Sequence, residues 1–244
     1  MDADLRSDLE RAAPTEFNRL SAAERERFFV HGERLIRRAH WEGARDVEVT
    51  DQMVLTVSSH AALLTAGFEP QTQPFLNVKS IVLHARTIVT RQVQPGPVRG
   101  VYTSGPQYLA GQSGHGRGPV LLDWQTVQRQ VAAPGIGANV VYHEFAHRLD
   151  MLDGTVDGTP PLDNADAQRR WVDVCTAAYD TVRAEGSPVL RDYAGTSPAE
   201  FFAVATEVFF NRPMDLCEHE PALYRELREY YRQDPATRHR ALAG

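Results

Sequence analysis

Two histidines and a glutamate in the run His143-Glu144-Phe145-Ala146-His147 have the types and spacing for metal chemistry. On an α-helix, residues four apart lie one turn up and about 40° round. His143 and His147 therefore present their imidazoles to one point, as a tetrahedral Zn²⁺ requires. Glu144 is turned far enough aside not to bind the metal. It is still near enough to take a proton from a water that the metal activates. The chemistry such a group performs is metal-assisted hydrolysis. Val140, Val141, Phe145, Ala146 and Leu149 can bury the rest of the helix. Two histidines leave the set short, because a catalytic zinc has three protein ligands and one open position.

The third ligand lies further along the chain. The metzincin continuation HExxHxxGxxH is absent: Arg148-Leu149-Asp150-Met151-Leu152-Asp153 follows His147. His219 and His239 sit in polar C-terminal surroundings. Glu185 precedes a Gly186-Ser187-Pro188 break, and Glu218 and Glu220 flank His219 in a charged run, so all three are expected in solvent. Glu200 and Glu207 differ. Both fall in an otherwise apolar helix, nearly two turns apart and so on one face. A buried carboxylate needs a partner, and a metal is one. Glu200 is the expected third ligand. Two roles fit Glu207: bonding a ligand's far nitrogen or nearby backbone, or a structural ion pair. Two also fit Asp150: support of the ligand set, or organisation of the Gly/Asp/Pro loop over residues 153–161.

The elements that hold these residues can be read from caps and breaks. Residues 1–20, charged and broken by Pro14, read as a loosely held arm. Ser21-Ala22-Ala23-Glu24 is a capping box, opening a helix with Phe28, Phe29, Leu35, Ile36 and Ala39 inward. A second helix runs from Thr50 to near Gly67. Between Pro70 and Pro119 the chain changes character, with short β-branched runs at 80–83 and 87–89 among Gly and Pro. Residues 118–122 read as one more strand, serving either the core or an extended substrate as an added edge. Asp123 caps a helix to about Ala133. Asn139 caps the histidine helix, which reaches about Leu152. Residues 166–185 are helical. Ser197 caps the Glu200 helix with Pro198 at its first position, Pro213 ends it, and 217–233 is a last helical region. Gly and Pro at 111–118 suggest a loop able to gate a cleft.

The order of helices, a small sheet, then helices makes the fold α+β and mostly helical. We divide it into an N-terminal helical region, 1–70, and a catalytic region, 71–244. With 42% hydrophobic and 24% charged residues, the chain has the balance of a soluble globular protein able to build a core. Its net charge of −6 argues against a nucleic-acid partner. The Arg-rich stretch 25–45 is interleaved with glutamates and reads as a solvated face. Cys175 and Cys217 form no CxxC pair, and the acidic N-terminus has no signal-peptide pattern. No stretch is long enough to span a bilayer, so a cytoplasmic location with no membrane partner is expected.

With these residues in hand, the chain resembles the Mlc titration factor A (MtfA) family of zinc peptidases. The resemblance rests on His143-Glu144-Phe145-Ala146-His147-Arg148-Leu149-Asp150, on Met151-Leu152-Asp153-Gly154 and on Asp157-Gly158-Thr159-Pro160-Pro161-Leu162. It continues through Tyr193-Ala194-Gly195-Thr196-Ser197-Pro198-Ala199-Glu200-Phe201-Phe202-Ala203-Val204 and Glu207-Val208-Phe209-Phe210. Upstream it includes Gly118-Pro119-Val120-Leu121-Leu122-Asp123-Trp124. The segment from Val57 to Leu64 departs, carrying Ser58, Ser59 and His60 where the family is more apolar. The resemblance implies a gluzincin-like, zincin-type catalytic core similar to that of anthrax lethal factor. It implies one Zn²⁺ per chain on His143, His147 and Glu200, with Glu144 as general base and Tyr193 as an active-site tyrosine. It further implies aminopeptidase-type action on peptide or small aminoacyl substrates and binding of a transcriptional repressor. Two other classes fit the bare motif: a binding protein that sequesters a regulator, and a zinc hydrolase of non-peptide amides.

Overall fold

The computed structural model describes residues 3–85, 94–95, 102–103 and 118–243. The expected strand at 87–89, and the gating loop at 111–118 apart from Gly118, lie outside them.

The N-terminal segment corrects the sequence reading. Residues 3–20 are not a loose arm: α1 (Ala3–Ala12), α2 (Pro14–Asn18) and the turn after α2 bury Leu9, Phe17 and Leu20. Phe17 packs against Phe28 and Phe29 at ring distances of 5.2 and 5.3 Å. The capping box is present, Ser21 and Glu24 each bonding the other's backbone at the start of α3 (Ala22–Arg38).

A short strand, β1 (His40–Gly43), follows and was not anticipated, since four half-exposed residues carry no apolar alternation. Thr50 caps α4 (Asp51–Thr65), which leads to β2 (Ser80–His84). Two short strands, β3 (Gln94–Pro95) and β4 (Tyr102–Thr103), pair antiparallel. The main sheet is closed by β5 (Val120–Asp123) in the order β1-β2-β5, all parallel, with Ile81 opposite Val120 and Leu83 opposite Leu122. Asp123 ends the strand and caps α5 (Trp124–Ala132) through Thr126 N–H.

The second half is helical: α6 (Val140–Asp150), α7 (Ala165–Glu185), α8 (Pro198–Asn211), α9 (Pro213–His219), α10 (Pro221–Tyr231) and α11 (Pro235–Ala243). Pro213 does not merely end α8. Pro213, Pro221 and Pro235 each open a new helix, where a missing N–H costs nothing, so 217–233 belongs to two helices rather than one.

Three helices carry the interior. Residues 57–65 of α4, nearly all of α6 and most of α8 are buried. α6 packs on α8, on α4 and against β5. This accounts for two of the polar residues between Val57 and Leu64: Ser59 Oγ donates to Leu9 O at 2.9 Å and His60 Nδ1 bonds Thr56 O at 2.9 Å, whereas Ser58 Oγ is buried without a partner. Beyond α8, Trp171, Phe202, Phe209, Tyr224, Tyr230 and Tyr231 form an aromatic cluster. Burying each such ring contributes roughly 1.5–3 kcal/mol. Among the described residues no helix is long and apolar enough to cross a membrane, and both cysteines are free.

Candidate metal centre

The site is built at the start of α6. Gly137, at φ +75°, turns the chain into Asn139, whose side chain accepts from Val141 N at 3.0 Å and Tyr142 N at 3.2 Å. Helix starts leave N–H groups without partners. Here two more are met from neighbouring elements: Val140 N donates to Gln130 of α5 at 2.6 Å, and Asn139 N donates to Glu207 Oε2 of α8 at 2.7 Å. The second bond ties the histidine helix to the helix that carries Glu200. On α8, Ser197 caps Glu200 N at 3.2 Å. Glu200 is thus in the first turn, where the helix dipole favours a carboxylate. Its side chain does not return to the cap; it turns to the histidines.

His143 Nε2 and His147 Nε2 stand 3.3 Å apart, and Glu200 Oε2 lies 3.0 Å from the first and 3.5 Å from the second. Ligand atoms of the three residues all fall within 4.8 Å of one another. Glu200 Oε2 is buried and makes no hydrogen bond despite this proximity. Two imidazole nitrogens and a carboxylate oxygen converging this closely are a donor set that fits a metal ion. In the metal-free protein, burial works against charge on His143, but the Glu200 and Glu207 carboxylates on either side outweigh it and hold the pKa at about 10. Burial also opposes charge on Glu200, yet the two imidazoles keep its pKa below the usual carboxylate range.

Glu207 is 1% exposed and meets three donors. It accepts from His143 Nδ1 at 2.8 Å, from Arg191 Nη2 at 2.6 Å and from the Asn139 backbone. Burial raises its pKa, but His143 and Arg191 together bring it below the ordinary value. It therefore fills both roles open to it in the sequence, bonding a histidine's far nitrogen and joining an ion pair. The bond fixes the proton on Nδ1 and turns Nε2 toward Glu200 and His147. Arg191 escaped sequence reasoning altogether. Nothing in its local sequence marks it, because its importance comes from Glu207, sixteen residues on.

Glu144 is buried beside the cluster. Burial raises its pKa, against the pull of His143, His147 and Arg148. Tyr193 lies on a short turn, Asp192–Gly195, held by Thr196 Oγ1 donating to its carbonyl at 2.8 Å. Its ring is 6.0 Å from that of His143 and 37% of the residue is exposed, so it stands at the mouth of the cluster. Burial and the neighbouring Glu200 raise its pKa.

Asp150 does not reach the cluster. It is fully buried, accepts from Gly158 N at 3.0 Å, and has its pKa raised by burial to about 6. Trp171 Nε1 donates to Gly158 O at 3.0 Å, so Asp150 organises the loop after α6. Arg148 ties the same helix to the sheet, donating to Pro119 O at 2.9 Å. Glu185, Glu218 and His219 are exposed, as expected, and Glu220 is half-buried.

A model of the family described as Glucose-regulated metallo-peptidase M90 matches residues 1–232. The chain is 29% identical over 223 residues to an uncharacterized protein of Synechocystis sp., covering 90% of this chain and 80% of that protein. It is 37% identical over 146 residues to Mlc titration factor A of Serratia proteamaculans and 36% identical to that of Edwardsiella ictaluri, covering 57% of this chain in each case. Those alignments span 54% of the length of each titration factor. With its family match over residues 1–232 and these relatives, the chain belongs to the M90 family of metallopeptidases, the family of the Mlc titration factor A proteins.

Proposed function

We propose that the chain is a zinc-dependent peptidase of aminopeptidase type, with a gluzincin-like site holding one Zn²⁺ per chain on His143, His147 and Glu200. The observation that carries this reading is the convergence of His143 Nε2, His147 Nε2 and the unbonded Glu200 Oε2 beside a buried Glu144. When bound there, zinc supplies a Lewis acid that acidifies water and polarises the scissile carbonyl. Glu144 takes the proton of the attacking water and passes it to the leaving amine. Burial raises its pKa above the ordinary carboxylate value, which favours its holding the proton between the two transfers. The Tyr193 hydroxyl donates a hydrogen bond to the developing oxyanion. Glu207 holds the His143 ring and its Nδ1 proton in place. The resemblance to the MtfA family supports peptide or small aminoacyl substrates, and the free cysteines support a reducing, cytoplasmic setting.

The test is metal content together with hydrolysis of a panel of aminoacyl and peptide substrates. Glu144→Gln is expected to keep about one zinc per chain and to lose roughly 10²–10⁴-fold in kcat. Undiminished activity in that variant would sink the mechanism. A second reading, binding of a transcriptional regulator, is favoured by the name Mlc titration factor A carried by relatives. Zinc binding without Glu144-dependent hydrolysis on any substrate would favour it over the first.

A further inference from the structure

A cavity of about 340 Å³ opens between α7, α10 and the loops that follow α4 and α6, and none of its lining residues belongs to the histidine cluster. Its volume lies within the range of about 300–1,000 Å³ typical of small-molecule sites. Phe68, Trp171 and Tyr230 line it, with the Tyr230 ring 5.7 Å from each of the other two.

The charges around this aromatic floor are unequally committed. Arg232 Nη2 donates to both oxygens of Asp163, at 2.9 and 3.0 Å. Arg170 Nη2 donates to Glu229 at 2.7 Å. Glu226 is 9% exposed and pairs with Arg170 Nε at 3.8 Å, the longest of these ion pairs. Three carboxylates, Asp163, Glu226 and Glu229, thus share two arginines at the cavity, so one negative charge is in excess there. Both arginines are occupied, which argues against an anionic ligand. One carboxylate in excess is too few for a bare metal ion. A carboxylate beside aromatic faces is the chemistry that takes an ammonium group, through charge at one end and cation–π contact along the rings.

We propose that this cavity is a binding site for a small amphipathic organic cation, an ammonium on an apolar body, with Glu226 as its counter-charge. The site is separate from the hydrolytic centre and does not depend on it.

The experiment follows the Trp171 indole N–H of the ¹⁵N-labelled full chain by NMR, since that group donates to Gly158 O at the cavity wall. The probes are 2-phenylethylammonium and 3-phenylpropionate, which share a body and differ in the sign of charge. A saturating shift is expected with the cation, and affinity at least tenfold weaker for the anion. Glu226→Gln should lower cation affinity at least tenfold and abolish the preference. Ala167→Phe, a cavity-lining change in the first turn of α7, should block binding and serves if the first variant fails to fold. No saturable shift with the cation, equal affinity for the anion, or unchanged affinity in a folded variant overturns the proposal.

Discussion

Replacing Glu207 by glutamine separates its part in the fold from its part in holding the metal. Glutamine keeps the volume and one carbonyl oxygen but puts an NH₂ in place of the other oxygen. Three donors face this position: Asn139 N at 2.7 Å, His143 Nδ1 at 2.8 Å and Arg191 Nη2 at 2.6 Å. The Asn139 backbone N–H cannot reverse, so the amide oxygen stays on it and the NH₂ confronts His143 and Arg191. His143, a cation before metal binds, relieves the clash by giving up its Nδ1 proton, so that it accepts at Nδ1 and keeps its remaining proton on Nε2. Nε2 is the atom that faces Glu200 and His147, so the lone pair that the proposed site offers a metal is lost. Charge-assisted bonds contribute about 1.5–3 kcal/mol each. Two are lost and one neutral bond is gained, so the metal-free protein should be less stable by about 2–4 kcal/mol. Loss of such an outer partner costs about 10–100-fold in metal affinity. Urea unfolding of chelator-treated protein reads the first quantity, and zinc competition against a fluorescent chelator reads the second. Arg191→Gln leaves the His143–Glu207 bond in place and removes a side chain already 41% exposed, so it should cost less than tenfold in zinc affinity. A folded Glu207→Gln protein within twofold of wild-type zinc affinity would refute the reasoning, as would an Arg191→Gln defect larger than that of Glu207→Gln.

Three further outcomes follow from the geometry. Tyr193→Phe should lower kcat by about 10²–10³-fold with little change in zinc content, because in the proposed mechanism the lost hydroxyl serves the oxyanion; steady-state kinetics with metal analysis on the same sample checks it. Gly158→Ala should lower stability by at least about 2 kcal/mol, or Tm by roughly 4–8 °C, because the residue is at φ +80° and a Cβ would stand 2.4 Å from Pro198 O; an unchanged melting curve contradicts this. Burial lowers the His31 pKa from 6.5 to about 4, helped by Arg34 and Arg27 and opposed by its bond to Phe68 O. Because the folded value is depressed, the unfolded chain binds the proton first. Stability is therefore whole above about pH 7 and falls as pH drops through 6.5 toward 4, by about 2 kcal/mol at pH 5. Denaturation at pH 7.5 and 5 should show that extra loss in wild type relative to His31→Gln, and parallel losses would exclude it.

The legible parts of this molecule are those whose cause is local. Ser21, Thr50, Asp123, Asn139 and Ser197 each cap the helix expected of them, because a cap bonds backbone two or three residues on. The i, i+4 histidines share a face for the same reason. Glu200 could be chosen because an acid in an apolar helix must be met by something. β1 was missed because its four residues are strand only through parallel pairing with β2, forty positions away. The N-terminal helices were missed because Leu9 and Phe17 are core only against α3 and α4. Glu207 shows where the limit lies. Its burial was readable from Phe201, Phe202, Val208 and Phe209 around it, but its donors come from positions 64, 68 and 16 residues away. Sequence can thus say that a buried acid needs partners, while only the packing of α6 on α8 says which ones. The same holds for Glu226, whose neighbours in the cavity range from Phe68 to Arg232. A buried carboxylate is therefore a pointer that complements a motif: Glu207, read through its three donors, marks a positioning residue beside the histidines, and Glu226 marks the excess charge of the cavity.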